Sequence, residues 1–127
     1  MNAKDENLFE SDYKYDNTYD VLAIKVKRPY NYSKTVEMEE GVLLDFDSQN
    51  IPVAIEILDA SKRFNVPKYS LKDLICFNMN VSINPKSINI NMKVGVIIHN
   101  EEQSHCIDMF TTNFTSIPSL ETELVTV

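Results

Sequence analysis

Asp45, Asp47, Gln49 and Glu56 have the spacing of a calcium-binding loop, whose oxygen donors sit at about positions one, three, five and twelve. The same residues also make an ordinary turn, because Asp47-Ser48-Gln49-Asn50 is a cluster of turn formers. A helix–loop–helix calcium site further needs glycine at its sixth position, where this chain has Asn50, with Pro52 close behind. A second donor set, His99, Glu101, Glu102, His105 and Cys106, could take a transition metal. Strand alternation places His99 outward and His105 in phase with apolar Ile107, so the two imidazoles are not expected to converge. Glu56 and Asp108 fall at equivalent outward positions and form a candidate general acid–base pair, against the plainer reading of solvated strand faces. Ser61 and Cys76 have no histidine near them in sequence, and no G-x-S-x-G, GxGxxG or phosphate-loop pattern occurs. No catalytic residue, metal or cofactor is therefore assigned. Asp45, Asp47, Glu56, His99 and His105 stay as candidates.

The elements that would position these residues read as strands. Val36, Met38, Val42, Leu44 and Phe46 alternate with polar neighbours, which is the period of a half-buried strand. The phase runs unbroken through Gly41, which predicts one long strand bent at that glycine. After the turn at Asp47–Asn50, Val53, Ile55 and Ile57 resume the alternation and predict the pairs Phe46–Val53, Leu44–Ile55 and Val42–Ile57. An earlier strand is expected at Val21–Lys27, followed by a loop at Arg28–Ser33. Asp59 is placed to cap a short helix that Pro67 closes. Further on, Ile75 to Ile83 and Ile88 to Ile98 alternate about a Pro85-Lys86 turn, which predicts Ile83–Ile88, Val81–Ile90, Met79–Met92 and Phe77–Val94 as facing pairs.

The two halves look alike. VEMEEGVLLDFDSQ, from Val36, aligns with INMKVGVIIHNEEQ, from Ile90, and the chain's two glycines, Gly41 and Gly95, fall on each other. Transferring registers between the halves predicts Val26 opposite Met38, Lys25 opposite Glu39, Lys27 opposite Glu37, Ile98 opposite Ile107 and Val96 opposite Met109. The expected fold is α+β and mostly antiparallel. It has two three-stranded meander units related by a pseudo-twofold, each followed by a short helical segment. Residues 1–17 are expected to be a polar N-terminal arm, 18–70 the first unit and 71–127 the second. The units share one core, packed face to face or as one continuous sheet, because a small sheet with an exposed apolar face does not stand alone.

A length of 127 residues suits one compact domain. Twelve Lys and Arg against nineteen Asp and Glu give a net charge of −7. That balance argues against nucleic acid and anionic membrane surfaces, which need clustered cations. Two cysteines make no disulfide framework and fit a reducing compartment. The polar start lacks the apolar stretch of a signal peptide, and no apolar run approaches the ~20 residues that span a bilayer, so a cytoplasmic location is expected.

The stretch from Tyr19 to Phe64 carries Gly41-Val42-Leu43-Leu44-Asp45-Phe46-Asp47 and Ile55-Glu56-Ile57-Leu58-Asp59-Ala60-Ser61. With these residues it resembles DUF2283, a family of small prokaryotic proteins without an established function. The second half departs from that pattern, with His99 for Asp45, Asn100 for Phe46 and Thr111-Thr112-Asn113 for the Asp-Ala-Ser segment. The resemblance implies a fold and carries no catalytic residue. The function expected from the residues is a non-catalytic, partner-binding protein, monomer or homodimer, with outward apolar Leu43, Leu58, Ile97 and Phe110 either under the helices or forming a docking patch. Charge alone suggests an antitoxin-like role against a basic partner. The alternative is a small-molecule- or metal-binding enzyme with its site between the two units, around Glu56 and Asp108.

Overall fold

The computed structural model describes residues 7–126. Nine strands are β1 (Leu8–Asp16), β2 (Val21–Val26), β3 (Tyr32–Glu39), β4 (Val42–Asp47), β5 (Pro52–Leu58), β6 (Cys76–Ile83), β7 (Ser87–Ile98), β8 (Glu101–Thr112) and β9 (Leu120–Thr126). Two short helices, α1 (Ala60–Phe64) and α2 (Lys68–Lys72), lie between β5 and β6. All nine strands join one sheet in the order β3-β4-β5-β2-β1-β9-β6-β7-β8, and β1 runs parallel to β9 while every other pair is antiparallel. The outermost strands β3 and β8 come alongside each other without a hydrogen-bonded ladder, so the sheet curls on itself. One cluster of buried side chains fills the curl, with members from β2, β4, β5, α1, β6, β7 and β9. α1 lies against β8 and α2 against β7, and Phe64 and Leu71 reach the same cluster.

Alternation explains most of the ladder. β6 and β7 pair as the apolar phase requires, with Ile83↔Ile88, Val81↔Ile90, Met79↔Met92 and Phe77↔Val94. Leu44↔Ile55 and Val42↔Ile57 also form, but Phe46 faces Pro52 rather than Val53 because the ladder slips by one residue after Asp45.

Several expectations are corrected. The long strand bent at Gly41 is two strands, and Glu40-Gly41 is the tight turn between them, with Glu39↔Val42 closing it. Gly41 has φ 86, a conformation glycine adopts without steric cost. A hairpin with a two-residue loop would normally exchange the faces, but an irregularity between Glu37 and Glu39 restores the phase and keeps Met38 buried. Hairpin and bulge together leave the alternation an unbroken strand would leave.

The first half is therefore not the expected meander that begins with β2, although β3, β4 and β5 pair in succession. β2 pairs with β5 and β1, not β3, so the Lys25–Glu39 and Lys27–Glu37 pairs do not exist. Lys25 faces Asp12 and Ala54 instead, and Lys27 reaches the Asp12 carboxylate at 3.8 Å. Residues 8–16, expected in a solvated arm, form a strand inside the sheet; residues 1–6 lie outside the described part. In the second half the β7–β8 loop is only His99-Asn100, both with positive φ, which closes a tight hairpin. The ladder then pairs Met92 with Ile107 and Ile90 with Met109, not Ile98 with Ile107 or Val96 with Met109. No helix follows β8; a loop leads to β9. The register that related the halves by a pseudo-twofold is thereby lost.

The aligned glycines do unrelated jobs. Gly95 lies inside β7, where a Cβ would meet Cys76 Sγ at 2.7 Å, whereas a Cβ on Gly41 would meet the Arg63 guanidinium at 2.8 Å on a backbone already at φ 86. Gly41→Ala is expected to lose about 1–2 kcal/mol in chemical denaturation, because the dihedral itself is the obstacle. Gly95→Ala should recover most of its loss when Cys76 is also alanine, since only a side-chain tip stands in the way. Equal rescue at both positions would contradict these two roles.

Candidate functional site

The calcium-spaced residues are spread over two faces. Asp45 points outward from β4 and accepts a hydrogen bond from Thr35 Oγ1 at 2.6 Å. Asp47 is buried, and its Oδ1 accepts from the backbone N–H groups of Gln49 (2.9 Å) and Ile51 (3.0 Å), while Oδ2 faces Arg28 at 3.4 Å. Asp47 thus organises its own turn. Glu56 is exposed on the outer face of β5. His99 is in the hairpin turn, and His105 sits further along β8 opposite Val94, with Nε2 at 3.0 Å from Gln103 Oε1. His105 is the fifth residue of β8, five steps from the end of the turn, roughly 17 Å. Among the described residues no three His, Cys, Asp or Glu side chains are grouped to hold a metal ion. Glu56 and Asp108 both point outward from different walls of a convex sheet, so they diverge.

Two arrangements were invisible in the sequence. Ser70, Asp73 and His99 line one shallow hollow beside Ile97 and Tyr69. These are the residue types of a nucleophile, a base and its orienting carboxylate. Their geometry is not that of a triad, because buried Ser70 donates its hydroxyl to the Pro67 carbonyl oxygen at 2.7 Å and no hydrogen bond links the three side chains.

The second arrangement is centred on Asp20, which is 5% exposed and has φ 56. Its carboxylate accepts from Tyr15 Oη (2.7 Å), Ser61 N–H (3.0 Å) and Ser61 Oγ (2.7 Å). Its main-chain oxygen accepts from the Ala60 N–H at 3.0 Å. Asp59, expected to cap α1, makes no side-chain cap bond and adopts a left-handed conformation. Asp20 caps the helix from the β1–β2 turn, across 41 residues of sequence. Burial pushes the Asp20 carboxyl up, but the hydrogen bonds from Tyr15 and Ser61 and the Lys68 charge outweigh it and hold the carboxyl below its ordinary range. Burial, then the hydrogen bond to Asp20 and the charges of Asp20 and Asp16, raise the Tyr15 hydroxyl well above its usual value. The three donors that end on this carboxylate give it a structural part. It fastens the β1–β2 turn to α1.

Nearby, Arg63 ties α1 to the β3–β4 hairpin. Its Nε donates to the Leu58 carbonyl at 2.8 Å, one terminal nitrogen to Glu39 at 2.6 Å and the other to the Glu40 carbonyl. The helices do not cover the outward apolar residues. Leu58, Ile97 and Phe110 are 36%, 48% and 74% exposed, and Leu43 is half-buried.

Fold and polar centre together define a small protein of one curled, mixed β-sheet, braced by a buried carboxylate. The family model described as "Protein of unknown function (DUF2283)" matches residues 12–61, a span that includes Tyr15, Asp20 and Ser61. An uncharacterized protein of Methanocaldococcus jannaschii is 39% identical over 92 residues, covering 72% of this chain and 76% of the relative. A Methanosarcina mazei protein named "Putative hypoxanthine phosphoribosyltransferase" is 30% identical over 87 residues, 68% of this chain and 70% of the relative. No solved structure matches the chain. The chain belongs to the DUF2283 family. Among the described residues no helix is long and apolar enough to cross a membrane.

Proposed function

We propose that this protein is a small, non-catalytic, cytoplasmic protein-interaction module. The observation that carries this reading is the exposure of Leu58, Ile97 and Phe110 on the outside of a sheet whose inner face already holds a filled core. The apolar surface that these side chains leave in water adds nothing to folding and stands ready to be buried by a partner.

The Methanosarcina relative's name raises phosphoribosyl transfer as a second reading. That chemistry needs a cradle of backbone N–H groups for phosphate, which glycine-rich loops at helix starts supply. Here Gly41 turns a hairpin and Gly95 packs on Cys76. The interaction reading is therefore preferred.

The test is affinity capture from the native host with the wild type and with Leu58→Asp, Ile97→Asp and Phe110→Asp singly, each confirmed folded. A partner retained by the wild type and lost from at least one variant is the expected result. An unchanged capture profile from all three variants, together with a clear thermal stabilisation by hypoxanthine, calcium or zinc, would replace this reading with the ligand-binding one.

A further inference from the structure

The outer face of β9, β6, β7 and β8 has an unusual composition. Register places Glu123, Asn80, Asn91 and Asp108 in one row across the four strands, and Glu121, Ser82, Asn89 and Phe110 in the next. Asparagine is disfavoured in strands, where β-branched and aromatic residues fit the pleated surface better, so folding does not account for this field of amides. The amides are held in fixed orientations. Asn91 Nδ2 donates to Asp108 at 2.6 Å, Asn89 Nδ2 to Ser87 Oγ at 2.9 Å, and Asn80 Nδ2 to Asn78 Oδ1 at 3.2 Å. Asn78 Nδ2 also donates to Glu123, so the amides are tied to the carboxylates at both ends of the row, and each carboxylate keeps lone pairs for a further donor.

Two shallow hollows cross this face, one beside Glu121 and Glu123, the other beside Asp108 and Phe110, and both are lined by Asn80 and Ser82. They meet as one track with carboxylates at both ends. Lys93, one row away, is the cation on β6–β9, whereas Lys14 sits on β1, Lys25 on β2 and Lys27 just beyond β2.

We infer that this track binds an extended segment of a partner protein with two cationic side chains about four residues apart. This rests on the interaction-module reading and names its partner's chemistry. Four strands span three gaps of ~4.8 Å, about 14 Å, and an extended chain advances ~3.3 Å per residue, so four residues cover the distance. One cation meets Glu121 and Glu123. The other meets Asp108 and lies over the exposed Phe110 ring, where a guanidinium gains from the ring face as well as the carboxylate. The intervening peptide N–H groups meet the outward oxygens of Asn80, Asn89 and Asn91.

The test titrates the isotope-labelled full chain with a blocked five-residue peptide that has arginine at positions one and five and serine or glycine between. Amide shifts confined to β6–β9 are expected. Phe110→Ala, which leaves the net charge unchanged, should weaken binding at least fivefold, and Asp108→Asn should do the same. Glu37→Gln makes the same charge change on exposed β3 and should have little effect. Equal weakening by Glu37→Gln and Asp108→Asn, no effect of Phe110→Ala, or no shift at low salt would overturn the proposal. So would maltohexaose moving the same resonances at lower concentration, which would make the face a saccharide surface. Should the peptide fail while Leu58→Asp or Ile97→Asp still loses a captured partner, the interaction reading stands and only this site falls.

Discussion

Asp20→Ala is expected to lower stability by about 3–5 kcal/mol, with the melting temperature falling by roughly 10–15 °C. Three hydrogen bonds end on this carboxylate, and the two from Ser61 lie in the buried interior. A hydrogen bond to a charged group is worth ~1.5–3 kcal/mol, and the donors left behind lose their partner without regaining water. The terms are not additive, which sets the range. Asp20→Asn keeps the shape and tolerates φ 56, but its amide presents a donor where the carboxylate accepted, so about 2 kcal/mol is expected. The same lock gives a pH signature. The folded-state carboxyl titrates below its ordinary value of 3.8, so its contribution is complete above about pH 4 and is lost as pH falls through the folded value. Tyr15 acts at the other end: its folded-state pKa is raised, so stability falls as pH rises past about 10, where the unfolded tyrosine ionises first. Urea melts from pH 2 to 11 should show both flanks in the wild type, and Asp20→Asn should flatten both. An acid flank unchanged in Asp20→Asn would assign the acid transition to other carboxylates.

Short-range pattern made the strands and part of their pairing legible. Where two apolar runs flank a short turn, as at Pro85-Lys86, one register buries every apolar side chain and the ladder follows. It failed where two deviations cancel, as with the Glu40-Gly41 turn and the irregularity beside Met38. It failed again at His99-Asn100, a turn with positive φ at two residues neither of which is glycine. Sheet order was beyond reach, because a strand with one buried face can pair with any neighbour of matching phase. β2 chose β5 and β1 over β3. The Asp20 lock carried no sequence signal, since its partners lie 5 residues before it and 41 residues after. The amides of β6 and β7 follow the polar phase of the alternation, but the hollows and the exposed Phe110 ring beside them required the sheet.

The sharpest consequence of the sheet order concerns β9, which the alternation did not single out. Leu124 is fully buried, facing Phe9 on β1 and Met79 on β6. Among the described residues β9 alone joins β1 to β6, so the ladder between the two halves of the chain runs through residues 120–126. Leu124→Ala is expected to lose about 3 kcal/mol, the transfer term of a large aliphatic side chain plus the cavity it leaves. Leu124→Asp should leave the chain unfolded, because an unpaired buried carboxylate adds several kcal/mol to that loss and domains hold only ~5–15 kcal/mol in total. The distribution of the effect matters as much as its size. Val42 and Leu44 of β4 and Val94 and Val96 of β7 lie in the same buried cluster as Leu124. In Leu124→Ala, amide exchange in β4 and in β7 should therefore accelerate by the same factor, and thermal melts should show one transition. Protection retained in β2–β5 with loss confined to β6–β8 would mean that the curled sheet is two separately stable halves joined at a seam, and that the common core does not couple them.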